Sequence, residues 1–370
     1  MTTKKAFMLM ILALVASAAF AQRVGDSVQV FGGSYTVQSV SGDTVTLVRA
    51  AQGDGPVNWV AVADSTFGTN STNNTIRGVA WGNNTWVAVG DAGKIAYSSD
   101  GRSWTAIPPG TNAGQSSFGV SNIHAVAFGN NQFVAVGQGG KIAYSADGRS
   151  WTAIPPGTGA GQSTFSNNAS AAISAVAFGG GRFVTVSASV SRAAYSTDGR
   201  TWTAVDAPFA GRAIAWGNNR FVIVGDQGQI AYSSNGQSWT AVPTANNGGG
   251  FSTSTVGSHY ISGVIYGNNR WVAGGTSGNI AYSSDGASWT RVPAANNGGF
   301  GGTNNVYSVG FGNNRFLAVG PSGRIAYSTD AASWTAVANT TFTGNINEVA
   351  YGNGRFVAVG QNGRMAYCDW

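Results

Sequence analysis

Apolar residues in this chain fall in runs of four or five, separated by breaks rich in Gly and Asn. Within residues 124–154 the runs are His124–Phe128, Phe133–Val136, Lys141–Ser145 and Trp151–Ile154. The breaks are Gly129-Asn130-Asn131, Gly137–Gly140 and Asp147-Gly148-Arg149-Ser150. Gly and Asn tolerate positive φ, so the pattern predicts four short antiparallel strands joined by tight turns. The strands are apolar or small at successive positions (Ala125, Val126, Ala127, Phe128), which predicts sheets covered on both faces. The unit occurs seven times, with its first aromatic at Trp81, Phe128, Phe178, Trp216, Tyr266, Phe311 and Tyr351. Successive aromatics are 38 to 50 residues apart. A period near 45 with four strands per unit predicts an all-β, seven-bladed β-propeller.

The seventh copy stops at Tyr367-Cys368-Asp369-Trp370, where its outer strand is due. The missing strand is at the other end of the repeat region: Asn58-Trp59-Val60-Ala61-Val62 matches Ser150–Ile154. It is expected to complete the last blade and close the ring. Residues 22–57 lie outside the repeat, and Ser27–Phe31, Tyr35–Val40 and Thr44–Val48 read as a small three-stranded β appendage followed by a linker. At the start, Lys4 and Lys5 precede the apolar run Ala6–Phe20, which ends in Ala19-Phe20-Ala21. This reads as a secretory signal cleaved before Gln22. The expected organisation is therefore a signal peptide over 1–21, an appendage over 22–57 and a propeller over 58–370. The expected location is outside the cytoplasm: periplasmic, cell-surface or extracellular.

The third turn has the form Ser-x-Asp-Gly-x-x-Trp at Ser98–Trp104, Ser145–Trp151, Ser196–Trp202 and Ser283–Trp289, with Asn235 for Asp and Ala331 for Gly in degenerate copies. It resembles the Asp-box (BNR repeat) of sialidases and other bacterial propellers. In those families the motif is structural, so the resemblance implies that Asp100, Asp147, Asp198, Asp285 and Asp330 brace turns. The repeat region is also similar to the photosystem assembly-factor propellers. That likeness implies a protein-binding platform and carries no specific site.

Function is expected in what differs between blades. The loops from each outer strand to the next inner strand vary in length and share one face of the ring, where binding usually evolves. Each loop contains one Phe: Phe67, Phe118, Phe165, Phe209, Phe251, Phe300 and Phe342. These rings are either pins that anchor the loops or aromatic platforms for a ligand, and Phe118, Phe165, Phe251 and Phe300 are the candidates for the second role. Four residues before each inner aromatic stand Arg77, His124, Ser174, Arg212, Ser262, Tyr307 and Asn347. Pseudo-symmetry gathers these unlike polar residues at the mouth of the central channel. Arg77, His124, Arg212, Tyr307 and Asn347 are candidate ligand contacts, with hydrogen-bonded capping of the channel as the alternative. Two arginines with only Glu348 nearby in sequence suggest an anionic guest. Asp91 and Asp226 read as turn residues. The Arg repeated at 182, 220, 270, 315 and 355 reads as turn-stabilising, or as the recurring pocket of a multivalent lectin.

Composition narrows the chemistry. Without Lys4 and Lys5, the 20 Lys and Arg fall to 18 against 14 acidic residues, a dispersed net charge of +4 with no basic run to suggest nucleic acid. Glu348 is the single glutamate, and His124 and His259 are the only histidines, so neither a metal site nor a cofactor site is visible. A lone cysteine, Cys368, excludes an internal disulfide framework and reads as a small packed residue. Few acids remain outside turns for general acid–base work. The reading is an exported, non-enzymatic scaffold that binds a protein or a surface glycan through its loop face. The alternatives are a sialidase-like glycoside hydrolase, built on Arg77, Arg212, Tyr307 and Glu348, and a multivalent lectin.

Overall fold

The computed structural model describes residues 58–68, 74–108, 118–155, 172–247, 251, 259–338 and 340–370, with the backbone of three strands before them. The chain divides into two compact units, Met1–Val57 and Asn58–Trp370. In the first, Ser27–Val30, Gly33–Ser41 and Thr44–Arg49 form an antiparallel meander. The signal segment and Phe165 lie outside the described residues.

The second unit is a ring of seven four-stranded antiparallel sheets. Blade one is typical: inner strand Ile76–Gly82, then Thr85–Gly90, Ile95–Ser98 and the outer strand Thr105–Ala106. Blades two to six begin at Ile123, Ile173, Gly211, Ile261 and Ser308. Blade seven contains Ile346–Gly352, Arg355–Gly360 and Met365–Asp369, and Val60–Ala61 adds its outer strand. The register is Ala366 to Ala61 and Tyr367 to Val60, so the two ends of the repeat region close the ring as the sequence implies. Closure covers the edge of Met365–Asp369 with a strand from the other end of the repeat region.

The turns follow their residues. Asn130 (φ 46°) and Asn131 (φ 57°) form the left-handed pair of a two-residue hairpin. Each second strand is buried on both faces; Phe133–Gly137 is fully enclosed between neighbouring blades. Inner and second strands face each other with one tilted aromatic pair per blade, ring centroids 4.6 to 5.2 Å apart.

Blades are joined by a contact that no L side chain other than glycine permits. A Cβ on Gly129 would lie 1.9 Å from Cγ of Phe178 in the next blade. The same contact joins Gly82 to Phe128, Gly179 to Trp216, Gly217 to Tyr266, Gly267 to Phe311, Gly312 to Tyr351 and, across the seam, Gly352 to Trp81. Each inner aromatic thus lies on the glycine of the preceding blade, and the chain of contacts closes on itself.

The Ser-x-Asp-Gly turns are hydrogen-bonded units. Ser145 Oγ donates to Asp147 Oδ1 at 3.0 Å, and Oδ1 accepts the backbone N–H groups of Arg149 and Ser150 at 2.8 Å. Gly148 N–H donates to Ser145 Oγ, and Trp151 Nε1 donates to Gly148 O. Asp100, Asp198, Asp285 and Asp330 repeat the pattern. Asn235 reproduces it with an amide oxygen, at 2.9 and 3.0 Å. Burial opposes ionisation of these aspartates, but the backbone donors outweigh it and hold the carboxyls below their ordinary value. At blade seven Trp370 stands where the other blades place this turn. Asn313 Nδ2 donates to the Trp370 carbonyl, as Asn83 donates to Ala146 in the complete turn of blade two. Cys368 is buried in this last strand, and burial pushes its thiol up to about 11, so it stays an unreactive thiol.

Asp147→Ala should lower unfolding free energy by about 1–2 kcal/mol, whereas Asp147→Asn should lower it by less than about 1 kcal/mol, because the amide oxygen keeps both acceptor bonds. The aspartate contribution is present above the unfolded-state pKa and is lost as pH falls through the depressed folded value. Urea titrations at pH 7 and pH 3 should therefore show the Asp147→Asn difference shrinking at the lower pH. Trp59, 3% exposed beside the closing strand, should cost about 3–5 kcal/mol when replaced by Ala. Hydrogen exchange should show the loss of amide protection concentrated in Met365–Asp369; uniform loss around the ring would contradict the closure role.

Candidate functional site

The central channel encloses a cavity of about 470 Å³. Arg77, His124, Ser174, Arg212, Ser262, Tyr307 and Asn347 all line it, at the end where the inner strands enter from the loop face. The structure brings the seven together, and then divides them by what each side chain does.

Four of them reach into the next blade. His124 Nδ1 bonds to Ile173 O at 3.0 Å, Ser174 Oγ to Gly211 O at 2.6 Å and Asn347 Nδ2 to Ile76 O at 2.9 Å. Ser262 Oγ donates to Val306 O. In every case the acceptor is the carbonyl just before the equivalent residue of the following blade. These four are latches between inner strands. Because a carbonyl only accepts, His124 carries its proton on Nδ1. Burial, with the Arg77 charge nearby, lowers its pKa, so it is neutral at neutral pH.

The two arginines turn instead into their own blades. Arg77 Nε donates to Asp91 Oδ1 at 2.5 Å, and Arg212 Nε donates to Asp226 Oδ1. Asp91 and Asp226 are therefore more than turn residues: each neutralises a mouth arginine. Arg212 also lies over the Tyr260 ring, 4.3 Å from its centroid. The expectation of an anionic guest loses its basis, since both positive charges are already paired. A sequence signal was available for this. The only blades with Arg at the mouth are the only ones with Asp 14 residues later.

Tyr307 makes no side-chain hydrogen bond among the described residues, and its side chain lines the cavity. Burial, with Tyr260 nearby, raises its pKa. Below the mouth the next position is Gly78, Ala125, Ala175, Ala213, Gly263 and Ser308 in six blades, and Glu348 in the seventh. The Glu348 carboxyl lies across Gly78 of blade one, where Oε2 accepts the Val79 N–H at 3.3 Å. Burial pushes its pKa up to about 8, only partly offset by that hydrogen bond. It therefore holds a proton at neutral pH. Trp81, Phe178, Trp216, Phe311 and Tyr351 line the far end.

The loop phenylalanines are pins. Phe67, Phe118, Phe209, Phe251, Phe300 and Phe342 are all buried. Phe118, Phe251 and Phe300 thus offer no ring face to a ligand, which corrects the platform role considered for them. Each packs against the second turn of an adjoining blade: Phe118 against Gly93, Phe251 against Gly228, and Phe300 against Gly278 and Gly320. Lys94 and Lys141 secure two of the pins by donating to the carbonyls of Phe67 and Phe118. A loop with one bulky group must bury it to be anchored at all.

The repeated arginine is likewise structural. Arg182, Arg220, Arg270 and Arg355 stack on the third-strand tyrosines Tyr195, Tyr232, Tyr282 and Tyr367 of their own blades. Blades one and two lack that arginine, and the third-turn arginine of the following blade replaces it: Arg149 covers Tyr97 and Arg200 covers Tyr144. In blade six Trp370 packs edge-on against Tyr327, with Arg315 over Trp370. A recurring lectin pocket has no arginine left to form it.

No family model and no curated protein matches this sequence. Solved structures do match in shape. YCF48 bound to D1 peptide is 16% identical, with a TM-score of 0.61 over 84% of this chain and 96% of that one. YCF48 from Cyanidioschyzon merolae is 14% identical, with a TM-score of 0.61 over 84% and 98%. A streptogramin B lyase is 11% identical, with a TM-score of 0.62 over 84% and 97%. At these identities the likeness shows a shared seven-bladed propeller.

Proposed function

We propose that this chain is an exported, non-enzymatic scaffold that binds a protein partner on its loop face, over the channel mouth. The observation that carries the reading is the division of the mouth. Four positions are spent on holding blades together, while Arg77, Arg212 and Tyr307, with Tyr260 beside them, remain at an open cavity. Arg and Tyr are the residue types that anchor protein interfaces, where a pre-positioned planar group contributes contact area with little loss of side-chain freedom. A similarly shaped propeller, YCF48, has been solved with a peptide, which supports the reading; the lyase neighbour shows that the fold alone does not decide it.

The residues weigh against hydrolysis. Glu348 holds a proton at neutral pH, as a general acid would, but glycoside hydrolysis needs a second carboxylate beside it. Asp91 and Asp226 are each bound to an arginine. A tyrosine nucleophile needs its proton removed, yet the surroundings of Tyr307 hold that proton more tightly. Export rests on the pattern of Lys4, Lys5 and Ala6–Ala21.

The test is affinity purification of the tagged protein from its own cells, alongside an Arg212→Ala/Tyr307→Ala variant with unchanged melting temperature. A partner protein should co-purify with the wild type and fall by about tenfold or more with the variant. Turnover of a fluorogenic sialoside lost in Tyr307→Phe, or specific binding on a glycan array, would overturn the scaffold reading. Intact-mass analysis of the exported protein should place its first residue at Gln22; retention of residues 1–21 would remove export from the proposal.

A further inference from the structure

One ionisable group of the channel has no charged partner. Arg77 is paired with Asp91 and Arg212 with Asp226, so the mouth is neutral. Glu348, one residue below it, has no ion pair among the described residues. Six blades carry Gly, Ala or Ser at this position, and the glutamate carboxyl of the seventh lies beside Gly78 of blade one. The rings of Tyr351 and Trp81, from the same two blades, line the channel below it. A carboxyl without a counter-ion, set in a cavity of about 470 Å³ above aromatic faces, is matched by one positive charge on a slender apolar stem.

We propose that the channel binds a primary ammonium group, carried on an alkyl chain that enters from the loop face, at the Glu348 carboxylate. An anion meets no free positive charge there, and the second ammonium of a diamine would find no second free carboxylate among the described residues. The proposal does not rest on a protein partner: the ammonium can belong to a lysine side chain or to a free amine.

Binding requires that Glu348 lose its proton, which passes to the buffer as the ammonium takes its place. The groups facing it are few. Blade one contributes the Arg77–Asp91 pair, and the second strand of blade seven places the apolar Val359 opposite Glu348. Blade six contributes Tyr307, and His124 and the Arg212–Asp226 pair complete the mouth. The pKa of Glu348 is raised from 4.5 to about 8, so the ionised fraction rises from about 0.1 at pH 7 to about 0.9 at pH 9. Amines remain charged over that range.

Calorimetric titration with n-butylamine and with Nα-acetyl-lysine methylamide tests this. Affinity should rise about tenfold from pH 7 to pH 9, with about 0.9 proton released per amine bound at pH 7 in buffers of differing ionisation enthalpy. Tighter binding of the lysine derivative would mark a peptide side chain as the natural guest, and equal binding a free amine. Glu348→Gln should bind both at least tenfold more weakly at pH 9, without pH dependence or proton release. Folding is checked by melting. The raised folded-state pKa means that the wild type loses stability as pH climbs from about 4.5 through 8, so Glu348→Gln should gain melting temperature relative to it at pH 9 and not at pH 4. Failure of both amines to bind at pH 9, binding without proton release at pH 7, or full affinity in Glu348→Gln would each overturn the proposal.

Discussion

The ring depends on one contact repeated seven times: the inner aromatic of each blade lying on the glycine that ends the inner strand of the blade before it. The contact sets how near successive blades come at the channel. It also explains why the aromatic and the glycine are adjacent in every copy, since each blade must offer a ring to one neighbour and a bare backbone to the other. Because the series closes at Gly352 and Trp81, no blade is terminal there. The outer strand Val60–Ala61 closes the same seam at the rim. A closed ring leaves each blade only a short outer strand of two to four residues as its open edge.

Around that contact the blades compensate for one another. Every third-strand tyrosine is covered, but the covering group comes from the same blade, from the next one, or in blade six from Trp370 at the end of the sequence. Such cover is worth about 0.5–1 kcal/mol at an exposed site, modest enough that the source can change while the geometry is kept. The same holds for the third turn, where Asn235 does in blade four what aspartate does elsewhere. Repetition therefore identifies structural residues even where the residue type varies, provided the contact is seen.

What remains for function is the set of side chains that break the pattern and are not among the four latches. At the mouth these are the two paired arginines and Tyr307, and below them Glu348. Their surroundings oppose the chemistry their names suggest. The arginines carry their own counter-charges, the tyrosine keeps its proton, and the glutamate is neutral until pH approaches 8. Loss of solvent produces the last two effects, and an aspartate 14 residues on in the same blade produces the first.

Much of this was legible in the residues. Strand period, turn chemistry and copy number determined the propeller, its closing strand and the two faces of the ring, because those depend on local backbone preference and on burial that recurs at fixed intervals. The polar ring at the mouth was legible too, since symmetry alone gathers equivalent positions. The pairing of Arg77 with Asp91 and Arg212 with Asp226 was written in the sequence but readable only as a correlation across copies. Which loop phenylalanines were pins, which mouth residues were latches, and how much solvent Glu348 loses at its half-buried place in the channel were decided by the tertiary structure. Those properties depend on distances between blades far apart in the chain and on the solvent each group loses when the ring closes.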